Sequence, residues 1–71
     1  MANIKLRVTG MTGGPCQAKV ERALRTTAGV YSAVVDFVTG EAEVDFNDDS
    51  ATTTELVRAI ERVGYGAKLA G

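Results

Sequence analysis

Ile4, Leu6 and Val8 alternate with Lys5 and Arg7, the two-residue period of a strand with one buried face. The alternation stops at Gly10. From Cys16 onward the apolar spacing changes: Cys16, Val20, Ala23, Leu24 and Thr27 fall on one helical stripe, and Lys19, Glu21, Arg22 and Arg25 fall largely off it. Pro15 suits a first helical position, where its missing N–H has no partner to lose, and Ala28-Gly29 supplies a stop. Val30 to Val38 is rich in β-branched residues, with Ala33, Val35 and Phe37 as its inward set. Gly40 is the positive-φ residue of a short turn, after which Ala42, Val44 and Phe46 alternate with Glu41, Glu43 and Asp45, so the two runs read as a hairpin. Beyond the polar stretch Asn47 to Ala51, Thr52 and Glu55 have the spacing of a capping box. They open a second helix carrying Leu56, Val57, Ile60 and Val63 and ending at Gly64; a last strand covers Ala67 to Leu69.

This order, strand–helix–strand–strand–helix–strand, predicts an α+β ferredoxin-like βαββαβ sandwich, a four-stranded antiparallel sheet with both helices on one face. The other face is left open to water. Lys5, Arg7, Asp36, Glu43 and Asp45 suit that exposure, and Val34 suits it less. No linker or low-complexity tract interrupts the chain, so residues 1–71 read as a single domain.

Composition narrows the function. Seventy-one residues with a formal net charge of −1 give no bulk attraction for nucleic acid or anionic lipid. An RNA-binding use of the sheet lacks the aromatic stacking residues, and its outer face is acidic. No apolar run approaches the ~20 residues that span a bilayer, so no membrane insertion is expected. The N-terminus lacks a secretory signal pattern, which places the chain in the reducing cytoplasm. The absence of histidine, and of any acid with reason for a shifted pKa, argues against an enzyme. One cysteine allows no disulfide framework.

That cysteine lies in "GMTGGPC", Gly10 to Cys16, between the first strand and the first helix. The loop resembles the "GMTCxxC" loop of the heavy-metal-associated domains: copper chaperones, N-terminal modules of metal-pumping ATPases, and mercury-binding modules of mercury resistance. "CQAKVERAL", "GVYSAVVDFVTGEAEVDF" and "AIERVGYGAKL" resemble that family's first helix, hairpin and closing segment, so the likeness covers the whole chain. It implies metal thiols at positions 13 and 16, and here the first is Gly13. "GGPC" also looks like half of a thioredoxin motif, but one thiol forms no dithiol couple, and Pro15 is the only proline.

Cu(I) and Hg(II) are soft ions that favour thiolate sulfur, and a helix N-terminus favours thiolate over thiol. Cys16 is therefore the candidate metal ligand. The resemblance makes Met11 an inward-turned support, surrounds the sulfur with Thr12, Gly13, Gly14 and Pro15, and brings Tyr65 close to the loop. The plainer alternatives are a core cysteine on the Val20 stripe and a Tyr65 that only caps the core with its hydroxyl wet.

With one protein sulfur, the site is expected to be weak or shared and to carry no tightly bound ion. The second ligand then comes from a small thiol, from a thiol-bearing partner such as a metal-transporting ATPase, or from Cys16 of a second copy in a metal- or disulfide-bridged homodimer. The leading function is binding and transfer of soft ions. The alternative is a degenerate or engineered family member that keeps the fold for protein contacts. A third feature is the basic first helix, where Lys19, Arg22 and Arg25 outnumber Glu21, as a docking face for an acidic partner.

Overall fold

The structure, a computed structural model, describes residues 2–70. Six elements follow the anticipated order: β1 (Ala2–Thr9), α1 (Gly14–Arg25), β2 (Val30–Asp36), β3 (Glu41–Phe46), α2 (Thr53–Arg62) and β4 (Gly66–Leu69). The strands form one antiparallel sheet in the order β2-β3-β1-β4. β1 and β2 therefore run in the same direction, and the loops that leave them lie at one end of the sheet.

The core lies between the sheet and the helices. Leu6 and Val8 of β1, Ala33 and Val35 of β2, and Ala42, Val44 and Phe46 of β3 are buried with Val20 and Leu24 of α1 and Leu56 and Ile60 of α2. The opposite sheet face carries Lys5, Arg7, Asp36 and Glu43, with Val34 64% exposed among them. β1 and β3 set cations against acids directly: Lys5 opposite Glu43, Arg7 opposite Glu41.

Element ends depart from the sequence reading where hydroxyls or carboxylates compete for backbone groups. α1 stops at Arg25, ahead of Ala28-Gly29, because the Thr26 hydroxyl donates to the carbonyls of Arg22 and Ala23 and the Thr27 hydroxyl donates to Ala23. β2 stops at Asp36, whose carboxylate accepts the Val38 N–H at 2.9 Å and whose carbonyl accepts the Gly40 N–H at 2.9 Å. Phe37 consequently leaves the inward set and stands in the turn, 37% exposed. Val63 is likewise outside the core: it caps α2 at 38% exposure, and Ala59 takes the buried position on that face. Ala51, within the polar connection, is buried at 2%. The capping box forms as anticipated, with the Thr52 hydroxyl accepting from the Glu55 N–H at 3.3 Å.

Gly29 shows how tightly the α1–β2 turn is packed. Its φ is +90°, and a Cβ built on it would lie 2.9 Å from Ser50 Cβ and 3.2 Å from Ala51 Cβ. Gly29→Ala combines a left-handed backbone with a clash against the buried Ala51. It is expected to destabilise the fold by about 1–3 kcal/mol, read from the urea midpoint.

Candidate metal site

The loop between β1 and α1 begins at Gly10, whose φ of +93° turns the chain out of the sheet. A Cβ at Gly10 would lie 3.4 Å from Tyr65 Cδ1, so the loop passes directly beside the Tyr65 ring. Tyr65 arrives from the other side. Past α2 its N–H donates to the Ile60 carbonyl at 3.4 Å, and the next residue, Gly66, pairs with Thr9 in the sheet. Its ring packs on the core. Met11 is half-buried against the same core.

Gly13 is the N-cap of α1, Pro15 falls within its first two positions, and Cys16 follows in the first turn. The Cys16 sulfur is neither sealed in the core nor fully exposed; the residue is half-buried. Thr12, Gly14 and Pro15 are exposed around it. Thr12 Oγ1 lies 3.6 Å from Cys16 Sγ. The thiol is held down to about 7, below its ordinary range, and the first cause is a hydrogen bond from the Tyr65 hydroxyl. Next come the backbone and hydroxyl of Thr12; the backbone of Gly13 adds a smaller effect, and partial burial pushes weakly the other way. The same interaction with Cys16 holds the Tyr65 hydroxyl above its usual range, with partial burial adding to it. No acid occupies the first turn of α1 to oppose the positive helix end.

The sequence placed Met11, Thr12, Gly13, Gly14, Pro15, Cys16 and Tyr65 at one locus, and the structure brings them together. It adds Gln17, whose side-chain carbonyl accepts the Phe37 N–H at 3.0 Å and ties the hairpin tip to the start of α1. Gly40 belongs here too, its carbonyl accepting the Val8 N–H at 2.6 Å. The signal for this was topological: a βαβ unit ends both strands on the same side, so residues 37–40 must approach residues 10–16. Among the described residues, no group of three or more histidine, cysteine, aspartate or glutamate side chains converges on a point.

The family model of the heavy-metal-associated domain matches residues 5–66, most of the chain. The chain belongs to that family. The domain is 42% identical over 62 residues to the probable copper-importing P-type ATPase A of Enterococcus hirae; the match covers 87% of the domain and 8% of that protein's length. It superposes on a copper binding domain from HMA7, a P-type ATPase, with a TM-score of 0.98 and 32% identity, covering all of this chain and 96% of that one. The CopZ metallochaperone superposes with a TM-score of 0.90 and 34% identity, covering 94% of this chain and all of that one. Its relatives are thus copper-transporting ATPases and copper chaperones, and its ferredoxin-like fold is theirs. Among the described residues, no helix is long and apolar enough to cross a membrane.

A tyrosine-to-thiolate hydrogen bond has a direct readout. The rate of Cys16 alkylation by iodoacetamide is expected to reach half its plateau near pH 7. Tyr65→Phe removes the first cause of the depression and should move the midpoint upward, slowing the reaction severalfold at pH 6 while the plateau is retained. An unchanged midpoint would mean the hydroxyl does not engage the sulfur.

Proposed function

We propose that the domain binds a soft ion, Cu(I) or Hg(II), through the Cys16 sulfur and passes it on by thiol exchange. The second sulfur comes from outside the chain: a small thiol, a thiol-bearing partner such as a metal-transporting ATPase, or another copy. The observation that carries this reading is the state of Cys16. A half-buried thiol lowered to about 7, at the acid-free start of α1, is a ready soft donor. A cysteine kept only for packing has no use for a hydrogen bond from Tyr65. Exchange needs an incoming thiolate to reach the ion, and exposed Thr12, Gly14 and Pro15 leave that approach open. The reducing cytoplasm, where a lone thiol persists, is the compartment this chemistry suits.

The basic docking face is weaker than composition suggested. Glu21 pairs with Arg25 at 2.7 Å, which leaves Lys19 and Arg22 as the cations of α1 without that partner. Such charges act on encounter rate more than on tightness.

Competition titration with a coloured Cu(I) chelator in anaerobic, thiol-free buffer tests the reading. Weak uptake is expected, lost in Cys16→Ser and strengthened by added glutathione. Because the ion displaces the thiol proton, apparent affinity should fall about tenfold per pH unit below pH 7 for each participating Cys16 and level off above it. Tight one-to-one binding by a monomer would refute the shared site. A thiol inert to both alkylation and Cu(I) would favour a member kept for protein contacts alone.

A further inference from the structure

β2 is an outer strand of the sheet, and its free edge carries backbone groups that the sheet does not use. The pairing pattern says which. The Ala70 N–H donates to the Lys5 carbonyl, so Lys5 faces β4, and the alternation turns Ile4 and Leu6 toward β3. Their partners Val44 and Ala42 therefore face β1. Ala33 and Val35, which lie opposite Val44 and Ala42 on β2, are left pointing away from the sheet. The Ala33 carbonyl has a cover, the Arg25 guanidinium, which donates to it at 3.3 Å. That cover is loose, because the Arg25 side chain is more than half exposed and also holds Glu21 at 2.7 Å. Edge strands are commonly guarded by a charge or a proline of their own. Residues 30–35 have neither, and Val34 and Tyr31 are exposed among them. β4, the other edge, has four residues and carries Lys68.

We propose that β2 pairs antiparallel with β2 of a second copy about a two-fold axis at Val34, joining the two sheets edge to edge. The strand itself sets the register. Its pairing with β3 slips between Val30 and Ser32, which limits the regular stretch to residues 32–36, and Val34 is the centre of that stretch. An axis there places Ala33 of each copy opposite Val35 of the other, so the outward N–H and C=O groups of both residues find partners. Val34 meets its own counterpart at the close spacing of a non-hydrogen-bonded pair, and the exposed apolar surface of both is covered. No charge on the strand faces its copy, since Asp36 lies opposite Ser32, and Glu43 stands one strand further in on each side. An axis at Asp36 would oppose two carboxylates, and one at Ser32 would run into the slip. Arg25 is the gate. Its guanidinium leaves the Ala33 carbonyl before the Val35 N–H of the other copy takes its place. The contact is small, so the pair is weak and depends on concentration. It needs neither a metal ion nor Cys16.

Sedimentation equilibrium on the whole chain, with a reductant and a metal chelator present, tests this. A dimer is expected to appear as the chain approaches a concentration on the order of 1 mM. Arg25→Met keeps the apolar stem and removes the donor, and should tighten the dimer about tenfold. Val34→Lys sets two cations at the axis and should abolish the dimer with or without Arg25→Met. The register is read by cross-linking in a Cys16→Ser background. There, Val34→Cys should be oxidised by diamide to a disulfide dimer about tenfold faster than Ser32→Cys, which is equally exposed but lies opposite Asp36. An unaltered chain and an Arg25→Met chain that both stay monomeric at that concentration would overturn the pairing. So would a dimer that survives Val34→Lys, or equal cross-linking of the two cysteine variants.

Discussion

Gly13→Cys is expected to tighten Cu(I) binding by about two to four orders of magnitude, the usual gain when a second donor becomes intramolecular. The backbone is already arranged for it. Gly13 has φ 178° and ψ −175°, extended values open to any residue, so the position does not require glycine. A Cβ there would find Pro15 Cδ at 3.8 Å as its nearest neighbour, an ordinary contact, so the side chain enters without displacing anything. Position 13 caps α1 and position 16 lies in its first turn, a separation at which side chains of a helix start converge. Exchanging glycine for another residue at a cap costs only a few tenths of a kcal/mol to about 1 kcal/mol, small beside the gain. Stoichiometry should change with affinity: one ion per monomer, and loss of any ion-dependent dimer. Gly14→Cys is the control. Its Cβ also has open space, but a residue two before Cys16 does not share its face, and the gain should be much smaller. Equal affinities for Gly13→Cys and the unaltered chain would mean that the loop is no longer shaped for two sulfurs.

Most of the architecture was legible because it depends on periodicity. β1, the hairpin and both helices carry apolar residues at the spacing of their buried faces, and Leu6, Val20, Leu24, Val44, Leu56 and Ile60 are all fully buried. The departures share one physical cause. Periodicity does not see a side chain that bonds to the backbone, and Thr26, Thr27 and Asp36 end their elements in that way. Phe37 was misplaced for this reason, since its residue type fits a strand and only the Asp36 turn turns it outward. At the site, the motif located Cys16 and its loop, and the resemblance placed Tyr65 nearby. Neither could show that the tyrosine hydroxyl reaches the sulfur, because that depends on the exact turn from α2 into β4. The role of Gln17 was hidden for the opposite reason: a glutamine in a first helical turn has no distinctive pattern.

The fold that holds this site has little stability to spare, and Leu24→Ala should expose that. A chain of 71 residues is stabilised by about 4–11 kcal/mol at the usual 0.05–0.15 kcal/mol per residue. Leu24 is fully buried on α1 among the sheet and α2 side chains, and truncating such a leucine costs about 2–5 kcal/mol. The variant is expected to lose a large fraction of its stability, with the urea midpoint falling in proportion and its slope unchanged. It is also the background in which the coupling of Cys16 to the fold becomes measurable. The folded chain ionises this thiol at about 7, whereas an unfolded cysteine does so near 8.5, so the unfolded state keeps the proton longer. The resulting stabilisation is fully present above about pH 8.5 and is lost as pH falls through 7. At the alkaline end, Tyr65 holds its proton more firmly in the folded state, and ionising it removes the same hydrogen bond. The urea midpoint of Leu24→Ala should therefore rise between pH 6 and 9, and this rise should shrink when Tyr65→Phe is added. A midpoint independent of pH in both backgrounds would mean that the hydrogen bond from Tyr65 does not contribute to holding the loop.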